Sequence, residues 1–368
     1  MKVLGVVTLV SPHGEYGGPT RVAINQLAAL RALGHEVVLA GGQRGFPDGP
    51  PTELEGVPAR LFRVVSALPR SGFAGLASPG LWRAVHQHHQ EFDVIHVHAA
   101  RDLVTLPAAY IAQRRGARVV LQTHGMIDPS SNPLAVPLDA VLTRPVLENA
   151  HAVTYLTHVE RTGLEAVARG SVRLVDLPNG VPEADGVTGR AETPHVLYLA
   201  RLAERKRPTH FVQAAAILAA EFPEVRFTLI GPDEGEGQSV RAAIERSGYS
   251  DRIRWEGAVS MSDTMSRMHQ ATVYVLPSVD EPYPMSVLEA MSTGLPVIVT
   301  DTCGLASFVT ENDAGTVISD SVSDLVGAMR ELIADPDRAS IIGGRGRRAV
   351  REKRSMAAIA RRLEQLYL

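Results

Sequence analysis

The sequence predicts an α/β protein with two doubly wound domains, each built on a mostly parallel sheet. The chain has 368 residues, which favours two domains, and 45% of them are apolar, which allows sizeable cores. Short apolar runs alternate with helical periods along almost the whole chain, as in successive βαβ units. A stretch rich in Gly and Pro at 178–194 interrupts this alternation, which then begins again.

The elements of the first half predict the N-terminal domain, at 1–180. Runs rich in Val, Leu and Ile predict strands, and apolar residues spaced three and four apart predict helices. The predicted strands are 3–10, 36–40, 60–65, 94–98, 118–123, 152–156 and 173–177. The predicted helices are 20–33, 80–90, 103–115, 138–149 and 159–168.

The second half predicts a linker at 181–194, a C-terminal domain at 195–352 and a final helix at 353–368 that could cross back to the first domain. The predicted strands are 195–200, 225–230, 252–256, 272–276, 296–300 and 316–318, with helices at 208–221, 239–247, 262–269, 285–293, 323–334, 338–353 and 356–368. Ligands bind at the carboxyl ends of the strands in such sheets. Two doubly wound domains therefore predict a central cleft.

Composition excludes several classes of protein. A net charge of −3 provides no global attraction to nucleic acid. Cys303 is the single cysteine, so no disulfide framework or cysteine zinc site is expected, and a reducing, cytoplasmic compartment fits. No run of about 18 apolar residues is present, so no membrane span is expected. The basic run at 345–354 predicts a solvated helix face, with peripheral contact to anionic lipid of the inner membrane face as the second interpretation.

Two carboxylates, Glu281 and Glu289, bracket the predicted start of the helix at 285–293. A helix start offers free N–H groups and a positive dipole end, which suit a phosphate. If the stretch between the glutamates is mostly helical, they lie roughly 10–12 Å apart. A glycosidase pair needs about 5–9.5 Å. The two carboxylates are therefore expected to contact two parts of one long ligand.

Two cations, Arg201 and Lys206, follow the first strand of the second domain. Fixed cations in a strand-to-helix loop can neutralise a diphosphate, and they stabilise charge that develops on a leaving group. Lys206 alone would be an ordinary loop residue. The pair is informative because the same cleft is expected to receive the helix that follows Glu281.

The first domain contributes a glycine loop after its first strand, with Gly14, Gly17 and Gly18. Glycines let a ligand approach the backbone, and the following helix start can bind an anion. The spacing differs from the G-x-G-x-x-G of dinucleotide-binding proteins, and the second strand lacks the acid that holds an NAD ribose. A plain tight turn is the alternative interpretation.

Three histidines in this domain lie on or after predicted strands. His124 follows the strand at 118–123 and is expected at its carboxyl end, facing the cleft. His96 and His98 share one face of another strand. The two histidines could bind a metal ion together, but no third ligand is evident, so no metal site is predicted.

Several motifs together resemble those of glycosyltransferase family 4, a family of retaining enzymes with the GT-B fold. Glu281 and Glu289 match its E-x7-E motif. Further similar segments are Val275-Leu-Pro-Ser278, Glu289-Ala-Met-Ser-Thr-Gly-Leu-Pro-Val297, Arg201-Leu-Ala-Glu-Arg-Lys206, Pro178-Asn-Gly-Val181, Gly17-Gly18, Val97-His98 and His124-Gly125-Met126. The resemblance covers nearly the full chain and is strongest in the second domain.

The resemblance implies two Rossmann-like domains and the transfer of a sugar from a nucleoside-diphosphate sugar, such as a UDP- or GDP-sugar. The acceptor would be a hydroxyl of a saccharide, a lipid-linked molecule or a small metabolite. No tightly bound cofactor or metal is implied, because the nucleotide sugar is a co-substrate. The acceptor would bind to the first domain and the donor mainly to the second.

The resemblance also implies roles for individual residues. Arg201 and Lys206 would neutralise the diphosphate, Glu281 would hold donor-sugar hydroxyls, and Glu289 would hold the ribose. The backbone N–H groups of Met285, Ser286 and Val287 would meet the phosphates and the sugar. His124 would lie near the reacting centre, and Gly17 and Gly18 near the phosphate and the acceptor.

The sequence departs from the family pattern in three segments, the first of which is Glu281-Pro-Tyr-Pro284 in place of Glu-Gly-Phe-Gly. Pro284 has no N–H where the family often has glycine, although proline suits the first turn of a helix. Arg207 replaces the glycine after the lysine, and Ser307 replaces an acid. Rival interpretations are a nucleotide-sugar epimerase or hydrolase of the same fold, and a non-catalytic nucleotide-sugar binding protein. An NAD-dependent dehydrogenase is disfavoured by the glycine spacing.

Overall fold

The computed structural model describes residues 1–12, 17–67, 72–183 and 193–368. The chain divides into two compact units, which we call unit 1 (Met1–Gly180 with Met356–Leu368) and unit 2 (Val181–Ser355). Of the predicted linker at 181–194, residues 184–192 lie outside the described residues.

Unit 1 is built on a sheet of eight strands with helices on both faces. Its strands, with a separate two-stranded ribbon β5–β6, are β1 (Lys2–Val10), β2 (Glu36–Gln43), β3 (Glu53–Leu54), β4 (Val57–Arg63), β5 (Val65–Ser66), β6 (Leu76–Ala77), β7 (Val94–His98), β8 (Val119–Gln122), β9 (Ala152–Tyr155) and β10 (Leu174–Asp176). Its helices up to this point are α1 (Gly17–Ala32), α2 (Pro79–His88), α3 (Thr105–Arg114), α4 (Ala135–Leu138), α5 (Arg144–Glu148) and α6 (His158–Val167).

The strand order of the large sheet is β10-β9-β8-β7-β1-β2-β4-β3, and β3 alone among these described strands pairs antiparallel, with β4. Alternate side chains of β1 enter two separate cores, Val6 on one face and Val7 on the other. The chain leaves β1 towards β2 and later returns to its other side with β7. A topological switch point therefore lies between β1 and β7.

The predicted helix at 138–149 is present within a helical stretch at 135–148, but the middle of that stretch is π-helical. The structure has α4, a π-helical turn at Asp139–Thr143, and α5. Pro145 lacks an N–H, so a regular α-helix through this segment would lose the hydrogen bond from residue 145 to the carbonyl of Val141. The π-helical turn ends at Thr143, two residues before this proline.

Unit 2 is built on a sheet of six parallel strands. The strands are β11 (His195–Leu199), β12 (Arg226–Ile230), β13 (Ile253–Trp255), β14 (Val273–Leu276), β15 (Val297–Thr300) and β16 (Gly315–Ile318). The helices are α7 (Pro208–Glu221), α8 (Gly237–Ser247), α9 (Met261–Gln270), α10 (Met285–Thr293), α11 (Ala306–Glu311), α12 (Val322–Ala334) and α13 (Pro336–Lys353). The order is β13-β12-β11-β14-β15-β16, so the switch point lies between β11 and β14.

The last helix, α14 (Met356–Tyr367), belongs to unit 1. Its residues Ile359 and Leu363 are buried in the same core as Leu27 of α1. A carboxylate oxygen of Glu364 lies 3.0 Å from Nε2 of His35, at hydrogen-bond distance. Across the described residues, no helix combines the length and apolar character needed to cross a membrane.

The predicted α/β class with two doubly wound domains is confirmed. Val287, Leu288 and Met291, predicted as the core face of the helix after Glu281, are fully buried on α10. The short helix α11 was not predicted, because its six residues contain too few turns to show a helical period.

Candidate active site

A pocket of about 290 Å³ opens at the switch point of unit 2, where β11 and β14 end. Parallel strands end at the same sheet edge, so the loops after β11 and β14 lie side by side. The charged side chains in its lining are Arg201, Lys206 and Glu281. The rest of the described lining is Leu199, Ala200, Ile230, Gly231, Pro232, Ala258, Val259, Thr264, Tyr283, Pro284, Met285 and Ser286.

Lys206 and Glu281 form an ion pair inside this pocket. Lys206 is 8% exposed and Glu281 is 7% exposed, and Nζ of the lysine contacts Oε2 of the glutamate. Burial lowers the pKa of Lys206, and the hydrogen bond with Glu281 opposes that shift. Arg205, a residue that the sequence did not single out, also lies 3.3 Å from Oε2 of Glu281. Glu281 therefore contacts two cations, Lys206 and Arg205, beside the carboxyl ends of β11 and β14.

The turn that carries Lys206 ends in a left-handed residue. Arg207 has φ 49° and ψ 49°, between a 3-10 turn at Glu204–Lys206 and α7. This region is strained for residues other than glycine, and glycine is the residue that the motif pattern described above has after the lysine. In this chain, Nη2 of Arg207 contacts Oδ2 of Asp320 at 3.1 Å.

Glu281 is held through its backbone by the loop after β15. The N–H of Gly304 donates to the carbonyl oxygen of Glu281 at 2.8 Å. A Cβ atom at Gly304 would overlap the carbonyl oxygen of Pro282. The close approach of the two loops therefore requires glycine at this position.

The start of α10 lines the pocket and offers two N–H groups. Val287 donates its N–H to the carbonyl of Pro284 at 3.1 Å, whereas the N–H groups of Met285 and Ser286 have no hydrogen-bond partner among the described residues. Pro284 is the N-cap residue, with φ −74° and ψ 104°, and so precedes the first turn rather than lying in it.

Glu289 lies half-buried within α10 and is not among the described residues that line the pocket. The helix begins only at Met285, so the 1.5 Å rise per residue applies to the second half of the stretch from Glu281 to Glu289. The premise of a mostly helical stretch is therefore wrong for its first half.

Arg201 is oriented by a residue from the neighbouring strand end. Its Nη1 donates to both carboxylate oxygens of Glu234, at 2.7 and 2.8 Å. Backbone hydrogen bonds fix this neighbourhood, because Leu202 accepts from Glu234 N at 3.1 Å and donates to Pro232 O at 2.8 Å. Glu234 was missed by the sequence analysis, although its place just after a predicted strand was a usable signal.

Unit 1 has its own pocket, of about 240 Å³, at the switch point between β1 and β7. Its described lining is Thr8, Gly18, Pro19, Thr20, Phe73, Ala100 and Met126. Gly17 and Gly18 begin α1, and Gly18 has open space where a side chain would be. Gly14 of the predicted glycine loop lies outside the described residues.

His124 follows β8 by two residues and is half-buried. Its Nε2 lies 2.8 Å from Nδ1 of His98. Nδ1 of His96 lies 2.6 Å from the hydroxyl of Tyr367 on α14. His96 and His98 are thus engaged in protein hydrogen bonds. Within the described ranges, no group of three or more His, Cys, Asp or Glu side chains is arranged to hold a metal ion.

Comparison with known families assigns the class of protein. Residues 183–349 match the family described as "Glycosyl transferases group 1", and residues 17–180 match the "Glycosyl transferase 4-like domain". The chain is therefore a glycosyltransferase with the GT-B fold. It belongs to the glycosyltransferases related to family 4, as the sequence motifs predicted.

Individual relatives are distant but extend over most of the chain. The chain is 24% identical over 276 residues to an uncharacterized glycosyltransferase, YqgM, of Bacillus subtilis, covering 73% of this chain and 75% of the relative. It is 26% identical over 327 residues to a 2-deoxystreptamine glucosyltransferase of Streptomyces kanamyceticus, covering 79% and 84%. Its fold is similar to that of Anabaena Alr3699/HepE crystallised with UDP, with a TM-score of 0.75, 18% identity and 99% coverage of both chains.

Proposed function

We propose that the chain is a retaining glycosyltransferase that transfers a sugar from a UDP- or GDP-sugar to a hydroxyl of a saccharide, lipid-linked or small-metabolite acceptor. The observation that carries the proposal is the pocket of unit 2, where Arg201, Lys206 and the start of α10 converge at the switch point. Two cations and a helix start together suit a diphosphate. The UDP bound in the structurally similar HepE protein supports a nucleotide donor.

Within the donor site, each polar group has a proposed partner. Arg201 and Lys206 neutralise the diphosphate, and the N–H groups of Met285 and Ser286 donate to its oxygens or to the sugar. Glu281 holds hydroxyls of the donor sugar. Glu289, further along α10, holds the ribose hydroxyls.

The cations Lys206 and Arg201 give the proposed reaction its electrostatics. As the bond from the sugar to the diphosphate breaks, negative charge grows on the leaving phosphate beside them, and they stabilise that charge. The leaving phosphate oxygen takes the proton of the acceptor hydroxyl on the same face of the sugar. The configuration at the anomeric carbon is thereby retained, and no separate general base is required.

In unit 1, we propose that Gly17 and Gly18 keep the backbone open to a phosphate and to the acceptor. The pocket beside Gly18, with Phe73 and Met126 in its lining, has apolar surfaces suited to one face of an acceptor. His124 contributes its ring near the reacting centre.

The proposal is tested first by donor binding. A panel of UDP-, GDP-, ADP- and dTDP-sugars is compared for thermal stabilisation of the purified protein. At least one UDP- or GDP-sugar is expected to raise Tm, and Lys206→Ala is expected to weaken its binding about tenfold or more, from the roughly 2–4 kcal/mol of an electrostatic contact in a closed site. Lys353→Ala is the matched control, because Lys353 is an exposed lysine of unit 2 bonded to Asn312.

Turnover then separates the proposal from its rivals. With acceptors supplied, the product should carry the anomeric configuration of the donor sugar, as read by NMR coupling constants. Rapid loss of the donor without any acceptor would favour a hydrolase or epimerase. Donor binding without turnover against a broad set of saccharide, lipid-linked and small-molecule acceptors would favour a binding protein.

A further inference from the structure

A row of three stacked imidazoles runs through unit 1 and ends at His124. His96 and His98 project from one strand, with ring centroids 4.8 Å apart, and the centroids of His98 and His124 are 5.1 Å apart. Burial lowers the pKa of His96 and of His124 to about 3, and holds the pKa of His98 well below its ordinary value. All three rings are therefore neutral near pH 7.

One hydrogen bond joins the last two rings, between Nδ1 of His98 and Nε2 of His124 at 2.8 Å. Because both imidazoles are neutral, one of these nitrogens donates and the other accepts. If Nε2 of His124 accepts, its Nδ1 must carry the proton, and if Nε2 donates, Nδ1 is an acceptor. Among the described residues, Nδ1 of His124 has no hydrogen-bond partner.

The backbone of His124 is also held in place. Its φ is +53°, a left-handed conformation that is uncommon for residues with a side chain. The carboxylate of Glu160 accepts hydrogen bonds from the Thr123 hydroxyl and the Gly125 N–H, both at 2.6 Å. One buried carboxylate thus fixes the residues on both sides of His124, and surroundings of this kind are what maintain such a conformation.

We propose that His98 is a positioning residue for His124, and that its Nδ1 sets both the ring direction and the tautomer of His124. His124 then presents its Nδ1 to a substrate hydroxyl as a group of one defined kind, donor or acceptor. This inference rests on the proposed function, which places His124 near the reacting centre.

The contact through Nδ1 makes the test selective. An asparagine amide can take the place of the histidine Nδ1, whereas a glutamine amide takes that of Nε2. His98→Asn is therefore expected to keep kcat within about threefold of the wild type. His98→Gln and His98→Leu are expected to lower kcat by about 10- to 100-fold, the cost of a misplaced catalytic group, with the donor KM little changed. Equal effects of Asn and Gln would overturn the positioning role.

His96→Asn is the matched control, because it alters the same buried row without removing the contact to His124. It should leave kcat close to wild type, with Tm measured for every variant to confirm folding. His124→Ala tests the proposed role of His124 separately from its positioning by His98. If it leaves turnover intact while Lys206→Ala abolishes it, the role of His124 is wrong and the positioning inference falls with it.

A second readout needs no turnover. In long-range ¹H–¹⁵N spectra of the imidazoles, the wild type should show one tautomer at His124. His98→Gln and His98→Leu should show a mixture or the opposite tautomer. A mixture in the wild type, or no change in any variant, would contradict the proposal even if no donor were turned over.

Discussion

Nζ of Lys206 and Oε2 of Glu281 form a buried ion pair where two neighbouring parallel strands end. The two residues are 75 positions apart in the chain. Neither strand alone determines the pair, because it depends on β14 lying next to β11. Taking charges out of water is costly, so the pair contributes to stability only while both members are present.

We expect Lys206→Met to lower the free energy of unfolding by about 3 kcal/mol, the lower end of the range for breaking a buried ion pair. Arg205 remains beside Glu281, which limits the loss. The double variant Lys206→Met/Glu281→Gln should recover much of the stability, because it also removes the buried carboxylate charge, but it should not recover donor binding. Urea denaturation measures the first effect, and Arg330→Met at the exposed pair with Glu221 should change little. Equal stability of the single and double variants would contradict this account.

Glu234→Gln is expected to strengthen donor binding. Glu234 places a negative charge against Arg201, which lines the pocket proposed for the diphosphate. A neutral glutamine can still accept a hydrogen bond from Arg201 while the repulsion disappears. Roughly 1 kcal/mol for a charge about 4 Å away in water corresponds to a Kd about five times lower. Calorimetric titration measures the Kd of the donor, with Glu236→Gln of the same loop as the control. Unchanged or weaker donor binding by Glu234→Gln would count against the expectation.

Gly231→Ala is expected to disturb the pocket far more than Gly235→Ala. Both glycines have positive φ, +150° and +113°, in the loop between β12 and α8. A Cβ at 231 would overlap the carbonyl oxygen of Ala200, beside Arg201, whereas no atom lies within 4 Å of a Cβ at 235. Both variants should lose about 1 kcal/mol or more from backbone strain, but only Gly231→Ala should lose donor binding by tenfold or more. Equal donor affinities in the two variants would show that the close approach is unimportant.

Acid should destabilise unit 1 through its histidine row. The folded pKa of His96 is about 3, below the unfolded value of 6.5, so the unfolded chain binds more protons between these pH values. The stabilising contribution is complete above pH 6.5 and is lost as the pH falls towards 3, by at most about 1.4 kcal/mol per pH unit for each histidine. The titratable groups around His96 are His98, His124 and Tyr367, and burial raises the pKa of the tyrosine so that it stays protonated.

His96→Asn removes one titrating group and can keep a hydrogen bond to Tyr367, because the contact uses Nδ1. The unfolding free energy of this variant, measured by denaturation at several values from pH 7.5 to pH 4.5, should fall less steeply than that of the wild type. Parallel slopes for the two proteins would show that His96 is protonated equally in both states.

Several site residues could be predicted from local pattern. Arg201, Lys206 and Glu281 follow apolar runs, and the carboxyl ends of parallel strands are where ligands bind, so a strand assignment was sufficient to select them. Pro284 shows the limit of such reasoning. The sequence predicted the bounds of the following helix correctly, but the proline suggested a place in the first turn, whereas it is the N-cap residue, in a loop whose Glu281 carbonyl accepts from Gly304.

The residues missed were those whose partners are distant in the chain. Glu234, Arg205 and Glu160 are ordinary surface-type residues in sequence, and each acquires its contact only through a neighbouring strand end or loop. His98 had been considered for a metal, whereas the structure pairs it with His124.

The sequence by itself determined the α/β class, the two-domain organisation and the family, because hydrophobic period and motif spacing are local properties of the chain. Only the tertiary structure decided which charges meet. The order of the strands brings β11 beside β14 and β7 beside β8, and this order selects Glu281 for Lys206 and His98 for His124. Burial then sets the strength of each contact. Removing water strengthens the attraction within an ion pair and lowers the pKa of an imidazole.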